Sequence, residues 1–138
     1  MILLDTNVVS ELMRPAPEPR VEEWITRQEP GTMALSVITV AEILYGIERL
    51  PDGRRRTGLA ARFRLFLDLG FGGVVHPVDP GTAEHYAAIR AARDAAGRPM
   101  TSFDALIAAT ARVHGTALAT RNTGDFAGCG VDLVNPWA

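Results

Sequence analysis

Short apolar segments alternate along the chain with patterns of helical spacing, and this alternation constrains the fold more than any other feature. The apolar strand candidates lie at residues 2–4, 33–37, 74–78, 117–120 and 131–134. Strands that alternate with helices favour a parallel sheet that is covered by helices on both faces. The sequence therefore predicts an α/β fold, a three-layer α/β/α sandwich with a central, mostly parallel five-stranded sheet.

About six or seven helices are expected around this sheet. Their candidate positions are 8–13, 20–28, 39–50, 59–69, 80–97 and 102–114. The helix that opens at Thr39 has the clearest pattern, because its apolar residues share one face. Asp79 and Pro80 suit the cap and the first position of the next-to-last helix. Glycines at 70, 72 and 73 end the fourth helix, and Gly115 ends the last.

Length and composition suit one compact domain that spans residues 1–138. Of the 138 residues, 47% are hydrophobic and 22% are charged, which is ordinary for a globular protein. No apolar run approaches the roughly 20 residues that a membrane helix needs. Asp5 interrupts the apolar start of the chain, so a secretory signal is not expected. These features predict a cytoplasmic protein that contacts no membrane.

All 14 basic residues are arginine, and the absence of lysine excludes whole classes of chemistry. A P-loop needs a lysine for its phosphates, and Schiff-base enzymes need a lysine amine. Receiver domains of response regulators also place acids on a parallel sheet, but they too rely on a lysine. The one cysteine, Cys129, has no partner at metal-ligand spacing, which excludes an internal disulfide and a thiolate zinc site.

Four acids lie where the predicted strands end or where helices begin. Asp5 directly follows the first strand, and Glu42 lies in the first turn of the helix after the second strand. Asp104 lies in the first turn of the helix before the fourth strand, and Asp125 follows that strand by a few residues. Ligands of open parallel sheets bind beyond the carboxyl ends of the strands. We therefore expect the four acids to converge at one edge of the sheet.

Each acid also has a purely structural explanation. Glu42 fits a capping box with Thr39, and Asp104 fits the same pattern with Thr101. The other two suit a helix cap and a turn. As a set, however, the carboxylates would repel one another, and a divalent cation removes that repulsion. Oxygen ligands suit Mg²⁺ or Mn²⁺, for which phosphodiester hydrolysis is the natural reaction.

The segments that carry these acids resemble the motifs of PIN-domain nucleases. The matching segments are, in order, 1–7 (MILLDTN), 35–42 (LSVITVAE), 103–111 (FDALIAATA), 118–126 (LATRNTGDF) and 135–137 (NPW). They cover nearly the whole chain and are most similar to the VapC/FitB-like branch, the toxins of type II toxin–antitoxin systems. The resemblance implies a PIN-like fold and a Mg²⁺- or Mn²⁺-dependent endoribonuclease that hydrolyses RNA by metal-activated water.

The resemblance also implies roles for the acids. Asp5 and Asp104 would be the principal metal ligands, and Glu42 would be a ligand or the general base. Asp125 would serve a second metal or position a water.

The fourth position has two candidates, because some relatives carry an acid at the position of Asn122 and others at that of Asp125. We place Asp125 in the site and treat Asn122 as a neutral helper. Thr6 and Asn7 are expected to hold waters or the Asp5 carboxylate, which metal sites of this kind require.

An arginine-rich stretch is a candidate for contact with the RNA backbone. Its members are Arg49, Arg54, Arg55, Arg56, Arg62 and Arg64, and Arg90, Arg93 and Arg98 extend the set. Such contacts carry no sequence information and weaken as salt rises. An ordinary solvated surface explains the run about as well.

The resemblance implies partners as well. A small VapB-like antitoxin would wrap the nuclease and block its acidic pocket, in some relatives with an arginine. The complex would bind promoter DNA only through the antitoxin. A homodimer is also expected, with Leu12, Met13, Trp24 and Ile25 as candidate contacts, although core packing explains at least half of these.

Two other classes remain open. One is a catalytically weak PIN-fold docking or regulatory module that acts through its antitoxin complex on DNA. The other is a metal-dependent phosphatase or phosphotransferase of the haloacid-dehalogenase kind. That class places a second Asp two residues after the first, where this chain has Asn7.

Overall fold

A computed structural model describes residues 1–71 and 73–138; Gly72, one of the predicted helix-ending glycines, lies outside the described residues. The strands are β1 (Ile2–Leu4), β2 (Met33–Ser36), β3 (Val74–His76), β4 (Ala117–Ala119) and β5 (Leu133–Val134). The helices are α1 (Thr6–Leu12), α2 (Pro19–Thr26), α3 (Val37–Glu48), α4 (Arg54–Leu65), α5 (Pro80–Ala95) and α6 (Ser102–His114). A π-helical turn covers Phe66–Gly70, and a 3₁₀ turn covers Thr123–Phe126.

The five strands form one parallel sheet in the order β3-β2-β1-β4-β5. In the central strand, Leu3 is opposite Ala34 of β2 and Leu118 of β4. The strand order reverses its direction at β1, and open α/β sheets bind ligands beyond the strand ends at such a switch point. The predicted parallel sheet is confirmed, and its topology points to the carboxyl end of β1.

Two apolar clusters lie on opposite faces of the sheet, as expected because successive strand residues point to opposite sides. Leu4 packs in the first cluster with residues of α1 to α4, for example Phe63. Leu3 packs in the second with residues of α5 and α6, for example Ile107. The predicted three-layer sandwich is therefore confirmed. The candidate dimer contacts pack in or against the first cluster; they are Leu12, Met13, Trp24 and Ile25.

Three helices begin two or more residues earlier than the sequence predicted, and α2 begins one residue earlier. α1 begins at Thr6 after its cap Asp5, and α3 begins at Val37 after its cap Ser36. α4 begins at Arg54, so the predicted arginine-rich turn is the first turn of that helix. Apolar periodicity marks only the buried part of a helix, whereas caps and breakers place its polar first turn.

The last helix matches its prediction at both ends. Thr101 caps α6 by accepting a hydrogen bond from the amide of Asp104, and Gly115 ends it in the left-handed conformation. Asp79 likewise caps α5 by accepting from the amide of Thr82. Within residues 1–71 and 73–138, the model contains no helix that is long and apolar enough to cross a membrane.

We expect Gly115→Ala to destabilise the protein by about 1–2 kcal/mol, because Gly115 has a φ of 64° that disfavours an L side chain. Nothing lies within 4 Å of an added Cβ, so only the backbone conformation opposes the change. Gly58→Ala is the matched control: its site within α4 is equally open, and we expect stabilisation by about 0.5–1 kcal/mol. Urea unfolding of both variants tests this, and shifts of the same sign would contradict it.

Candidate active site

A cavity of about 420 Å³ lies where β1 and β4 end and α3 and α6 begin. Its lining residues are Asp5, Thr6, Asn7, Ser10, Glu11, Glu42, Asp104, Arg121, Asn122 and Trp137. Three of the four predicted acids thus face one cavity although they are far apart in sequence. Asp125 is not among the lining residues in the described part of the chain.

Asp5 is the most deeply buried of these acids, with 5% of its surface exposed. The amide of Thr6 donates to Asp5 Oδ1 at 2.8 Å, and the Thr120 hydroxyl donates to Oδ2 at 2.8 Å. Burial raises the pKa of Asp5 to about 6 despite these two hydrogen bonds, and the charges of Asp104 and Glu42 raise it further. The site therefore concentrates negative charge in a poorly solvated place.

Glu42 is held by Thr6, not by its own helix. The Thr6 hydroxyl donates to Glu42 Oε1 at 2.7 Å, and the hydroxyl oxygens of Thr6 and Thr39 are 3.2 Å apart. The predicted capping box is therefore wrong, because Ser36 caps α3 and Thr39 lies in its first turn as a buried residue. This contact fixes Glu42 relative to the end of β1.

Asp104 lines the cavity, and the charge of Asp125 acts on it from outside. Partial burial raises the pKa of Asp104, and the negative charge of Asp125 raises it as well. Asp125 lies in the 3₁₀ turn after β4, with its side chain exposed. The structure thus places Asp125 outside the cavity lining, at a distance from which its charge still influences Asp104.

Thr120 connects several site residues and was missed by the sequence reasoning. Besides donating to Asp5, its hydroxyl oxygen accepts from the amide of Asn122 at 3.1 Å and from Asn7 Nδ2 at 3.3 Å. The sequence held one signal, since Thr120 is the polar last residue of the predicted fourth strand. Asn7 and Asn122 are therefore placed through Thr120, as helpers beside the carboxylates.

Glu11 is a further carboxylate that the sequence reasoning missed. Only 7% of its surface is exposed, and it lies one turn after Asn7 on α1, facing the cavity. It accepts from Arg14 Nη1 at 3.1 Å and from the amide of Glu18 at 3.1 Å. Its charge is thus neutralised by Arg14, unlike that of Asp5.

The donor set of the cavity fits a hard cation that keeps part of its hydration shell. Its potential ligands are oxygen atoms of carboxylates, hydroxyls and amides, with no histidine or cysteine in the lining. In the described chain, no group of three or more His, Cys, Asp or Glu side chains is arranged to hold a metal ion directly. Mg²⁺ does not need such a group, because it usually binds through one or two carboxylates and keeps several waters.

An apolar groove of about 410 Å³ adjoins this cavity and shares Thr6, Ser10 and Glu42 with it. Its remaining lining residues are Met13, Arg14, Pro15, Ile43, Gly46, Ile47, Arg55, Leu59 and Arg62. Helices α1, α3 and α4 supply most of these side chains. The groove thus combines an apolar floor with three arginines.

The candidate RNA-contact arginines have different surroundings. Arg56 pairs with Glu48 at 2.8 Å and with Asp52, and Arg49 lies over the Tyr45 ring. Arg93 is buried with 7% of its surface exposed, so the suggestion that it contacts RNA is wrong. For the other arginines of the set, contact with RNA stays a prediction.

The family comparison identifies the class of protein that carries this site. The PIN domain family model matches residues 2–128, and the chain belongs to the PIN domain family. It is 41% identical to "VapC ribonuclease Y4jK" of Sinorhizobium fredii, over 99% of this chain and 98% of that protein. It is 40% identical to "Toxin FitB" of Neisseria gonorrhoeae, over 99% of both chains.

Solved structures agree in fold over the whole chain. A structure of FitAB bound to an IR36 DNA fragment matches with a TM-score of 0.90 at 40% identity, covering 100% of this chain and 96% of that one. FitAcB from Neisseria gonorrhoeae matches with a TM-score of 0.89 at 40% identity, covering 99% of both chains.

Proposed function

We propose that this protein is the toxin of a type II toxin–antitoxin system, a metal-dependent endoribonuclease that hydrolyses RNA phosphodiester bonds. One observation carries the proposal: Asp5, Glu42 and Asp104 line a single cavity at the switch point of a PIN-domain sheet. Relatives with full-length similarity are a VapC ribonuclease and the toxin FitB, which supports the same activity here. The metal is proposed to be Mg²⁺ or Mn²⁺, since both prefer oxygen ligands.

In this proposal Asp5 and Asp104 are the principal ligands of the cation, and Glu42 is a ligand or the general base. Asp125 serves a second metal or positions a water. When bound, the cation lowers the pKa of a water and neutralises charge on the phosphoryl oxygens. Of the two carboxylate oxygens of Glu42, only Oε1 accepts a side-chain hydrogen bond within the described residues. As the general base, Glu42 would use its other oxygen, Oε2, to take the proton of the attacking water. Thr120 holds the Asp5 carboxylate in one orientation, with Asn7 and Asn122 attached to the same hydroxyl.

The proposed partner is a small VapB-like antitoxin, which covers both the groove and the acidic cavity. The groove supplies apolar surface flanked by Arg14, Arg55 and Arg62, so an apolar segment with acidic neighbours fits it. A basic residue of the antitoxin would pair with the cavity carboxylates. The FitAB structure contains DNA, which supports promoter binding by the complex through the antitoxin. A homodimer remains a prediction.

The test is cleavage of total bacterial RNA by antitoxin-free protein, with Mg²⁺ or Mn²⁺ compared against EDTA. We expect discrete fragments that require metal and that disappear in Asp104→Asn. Asp132→Asn is the matched control, because Asp132 is an exposed acid outside the cavity. Full activity of Asp104→Asn at ordinary magnesium would contradict the site. No cleavage by folded protein with metal on any bacterial RNA would instead favour the catalytically weak docking module.

We expect Thr6→Val to reduce RNA cleavage about 10- to 100-fold, as loss of a residue that orients a metal ligand does. Valine keeps the shape of threonine but removes the donor that lies 2.7 Å from Glu42 Oε1. Thr6→Ser restores the hydroxyl and should retain most activity. Mn²⁺ binding by calorimetry should weaken in parallel in Thr6→Val. Equal activity of the two variants would show that Thr6 does not position Glu42.

A further inference from the structure

Arg121 and Trp137 form a stacked pair at the edge of the acidic cavity. The guanidinium carbon of Arg121 lies 5.3 Å from the centroid of the Trp137 ring. Both residues line the cavity, and Arg121 is the only basic residue among those lining it in the described chain. Arg121 directly follows Thr120, just after the end of β4, the strand that pairs with β1. It therefore places a positive charge near Asp5, which follows β1.

Backbone contacts hold both members of the pair in place. The Trp137 amide donates to Asn135 Oδ1 at 2.9 Å, and its carbonyl accepts from Arg20 Nη1 at 3.2 Å. The indole is half-buried and packs against the first apolar cluster. The Arg121 amide donates to Asn7 Oδ1 at 3.4 Å. These contacts tie the backbone of both residues to the cavity rim, and the ring contact places the guanidinium there.

The Arg121 side chain is exposed, and its charge is not used in an ion pair. Within residues 1–71 and 73–138, no carboxylate oxygen lies within 4.0 Å of its guanidinium, although four carboxylates line the same cavity. Its side chain contacts an aromatic face instead. Such a contact does not satisfy the guanidinium N–H donors. These donors suit a ligand with acceptor oxygens.

A guanidinium on an aromatic ring suits one nucleotide of a single strand. Unpaired bases stack on aromatic rings and on arginine planes, which strengthens binding by about 5- to 100-fold per base. Arginine binds phosphate with two parallel hydrogen bonds. The carboxylates repel phosphate, so a cation on one side of the cavity also sets the direction from which the RNA backbone arrives.

We propose that Arg121 and Trp137 form a nucleotide subsite that binds an unpaired RNA nucleotide next to the scissile bond. The base extends the stack of the pair, and the guanidinium holds the adjoining phosphate. The subsite rests on the proposed function, in that its ligand is the RNA substrate. It explains how single-stranded RNA approaches a cavity whose other charged groups are all carboxylates, one of which, Glu11, is neutralised by Arg14.

Tryptophan fluorescence reads this subsite without catalysis. The chain has two tryptophans, so Trp24→Phe leaves Trp137 as the single emitter. Titration with a short single-stranded oligoribonucleotide in EDTA and low salt should quench the emission to saturation. Arg121→Gln in the same background should weaken binding at least about fivefold. Arg27→Gln, which removes an exposed arginine elsewhere, should not. Arg121→Lys keeps the charge without the planar stack, and we expect an intermediate affinity.

Cleavage kinetics separate the subsite from the proposed activity. With metal, Arg121→Gln and Trp137→Phe should raise KM for RNA and leave kcat within about twofold. If wild-type protein cleaves RNA but Trp137 is not quenched, and Arg121→Gln cleaves like Arg27→Gln, the subsite is wrong and the nuclease stands. If Trp137 is quenched with the expected Arg121 dependence but no RNA is cleaved, the subsite stands and the nuclease assignment fails.

Discussion

Asp5→Asn is expected to abolish RNA cleavage and, at neutral pH without metal, to make the protein more stable. The loss of activity should exceed the roughly 10- to 100-fold that residues behind a metal ligand contribute. The gain in stability follows from the burial of Asp5, which raises its pKa from 3.8 to about 6. An ionised carboxylate at this position therefore destabilises the folded state.

The pH dependence has a definite sign. The folded protein holds the Asp5 proton more tightly than the unfolded chain, so stability falls as pH rises from about 4 to about 6. Above that window the full penalty applies, about 3 kcal/mol for a shift of about two pKa units. Asparagine avoids the charge but presents its amide to Thr120, whose hydroxyl oxygen already accepts two hydrogen bonds. We therefore expect a net gain of about 1–2 kcal/mol at pH 7.

Urea unfolding in EDTA at pH 7 and at pH 4 checks this expectation. The variant should be more stable than wild type by about 1–2 kcal/mol at pH 7. At pH 4 Asp5 is protonated, so only the cost of the misplaced amide remains and the variant should be less stable by about 1–2 kcal/mol. Asp132→Asn controls for the removal of one negative charge from an exposed position. A destabilisation of equal size at both pH values would contradict the strained carboxylate.

The arrangement implies that the site is maintained at the expense of stability. Asp104 and Glu42 both raise the pKa of Asp5, and Asp125 raises that of Asp104, so the acids oppose one another before any cation arrives. A protein folded for stability alone would separate these charges. Sites that keep such strain are those in which function requires it. A cation that binds the cavity should accordingly raise the unfolding temperature.

The sequence predicted those parts of the fold and site that local patterns determine. Asp5 directly follows the apolar strand candidate 2–4, and Asp104 follows a threonine cap at the start of an apolar helix. Their places follow from strand ends and helix caps, and both line the cavity as expected. The parallel sheet follows from the alternation of strands and helices.

The contacts between distant segments were not predictable from local patterns. Glu42 fits a capping box with Thr39 on spacing alone, yet its partner is Thr6 at the end of another strand. The Thr120 hydroxyl contacts the side chains of Asp5 and Asn7 and the backbone amide of Asn122, and no local sequence pattern predicts that role. Arg93 was grouped with the candidate RNA-contact arginines, whereas in the structure it is buried. The partners of these side chains lie in distant segments of the chain, and local sequence patterns do not reveal contacts of that kind.

Arg93→Met is expected to reduce stability by roughly 1–3 kcal/mol, because it leaves three partly buried carbonyl groups without their donor. Arg93 Nε donates to the Arg98 carbonyl at 2.6 Å, and Nη1 donates to the carbonyls of Asp125 and Ala127 at 2.9 and 2.8 Å. The guanidinium thus joins the segment before α6 to the turn that carries Asp125. Arg93→Lys should restore little, since one ammonium cannot span these three carbonyls as a planar fork does.

The loss of this clamp should appear first in the turn that carries Asp125. We expect faster amide hydrogen exchange over residues 122–130 in Arg93→Met. We also expect RNA cleavage to fall further than the unfolded fraction explains, since the spacing of Asp104 and Asp125 is no longer fixed. Arg90→Met, one turn earlier on α5, is the matched control and should cost under about 1 kcal/mol, because the polar contacts of Arg90 within the described residues are with the Ser102 hydroxyl and with the hydroxyl and ring of Tyr86. If exchange in the turn is unchanged while global stability falls, Arg93 supports the core alone and Asp125 is positioned by other contacts.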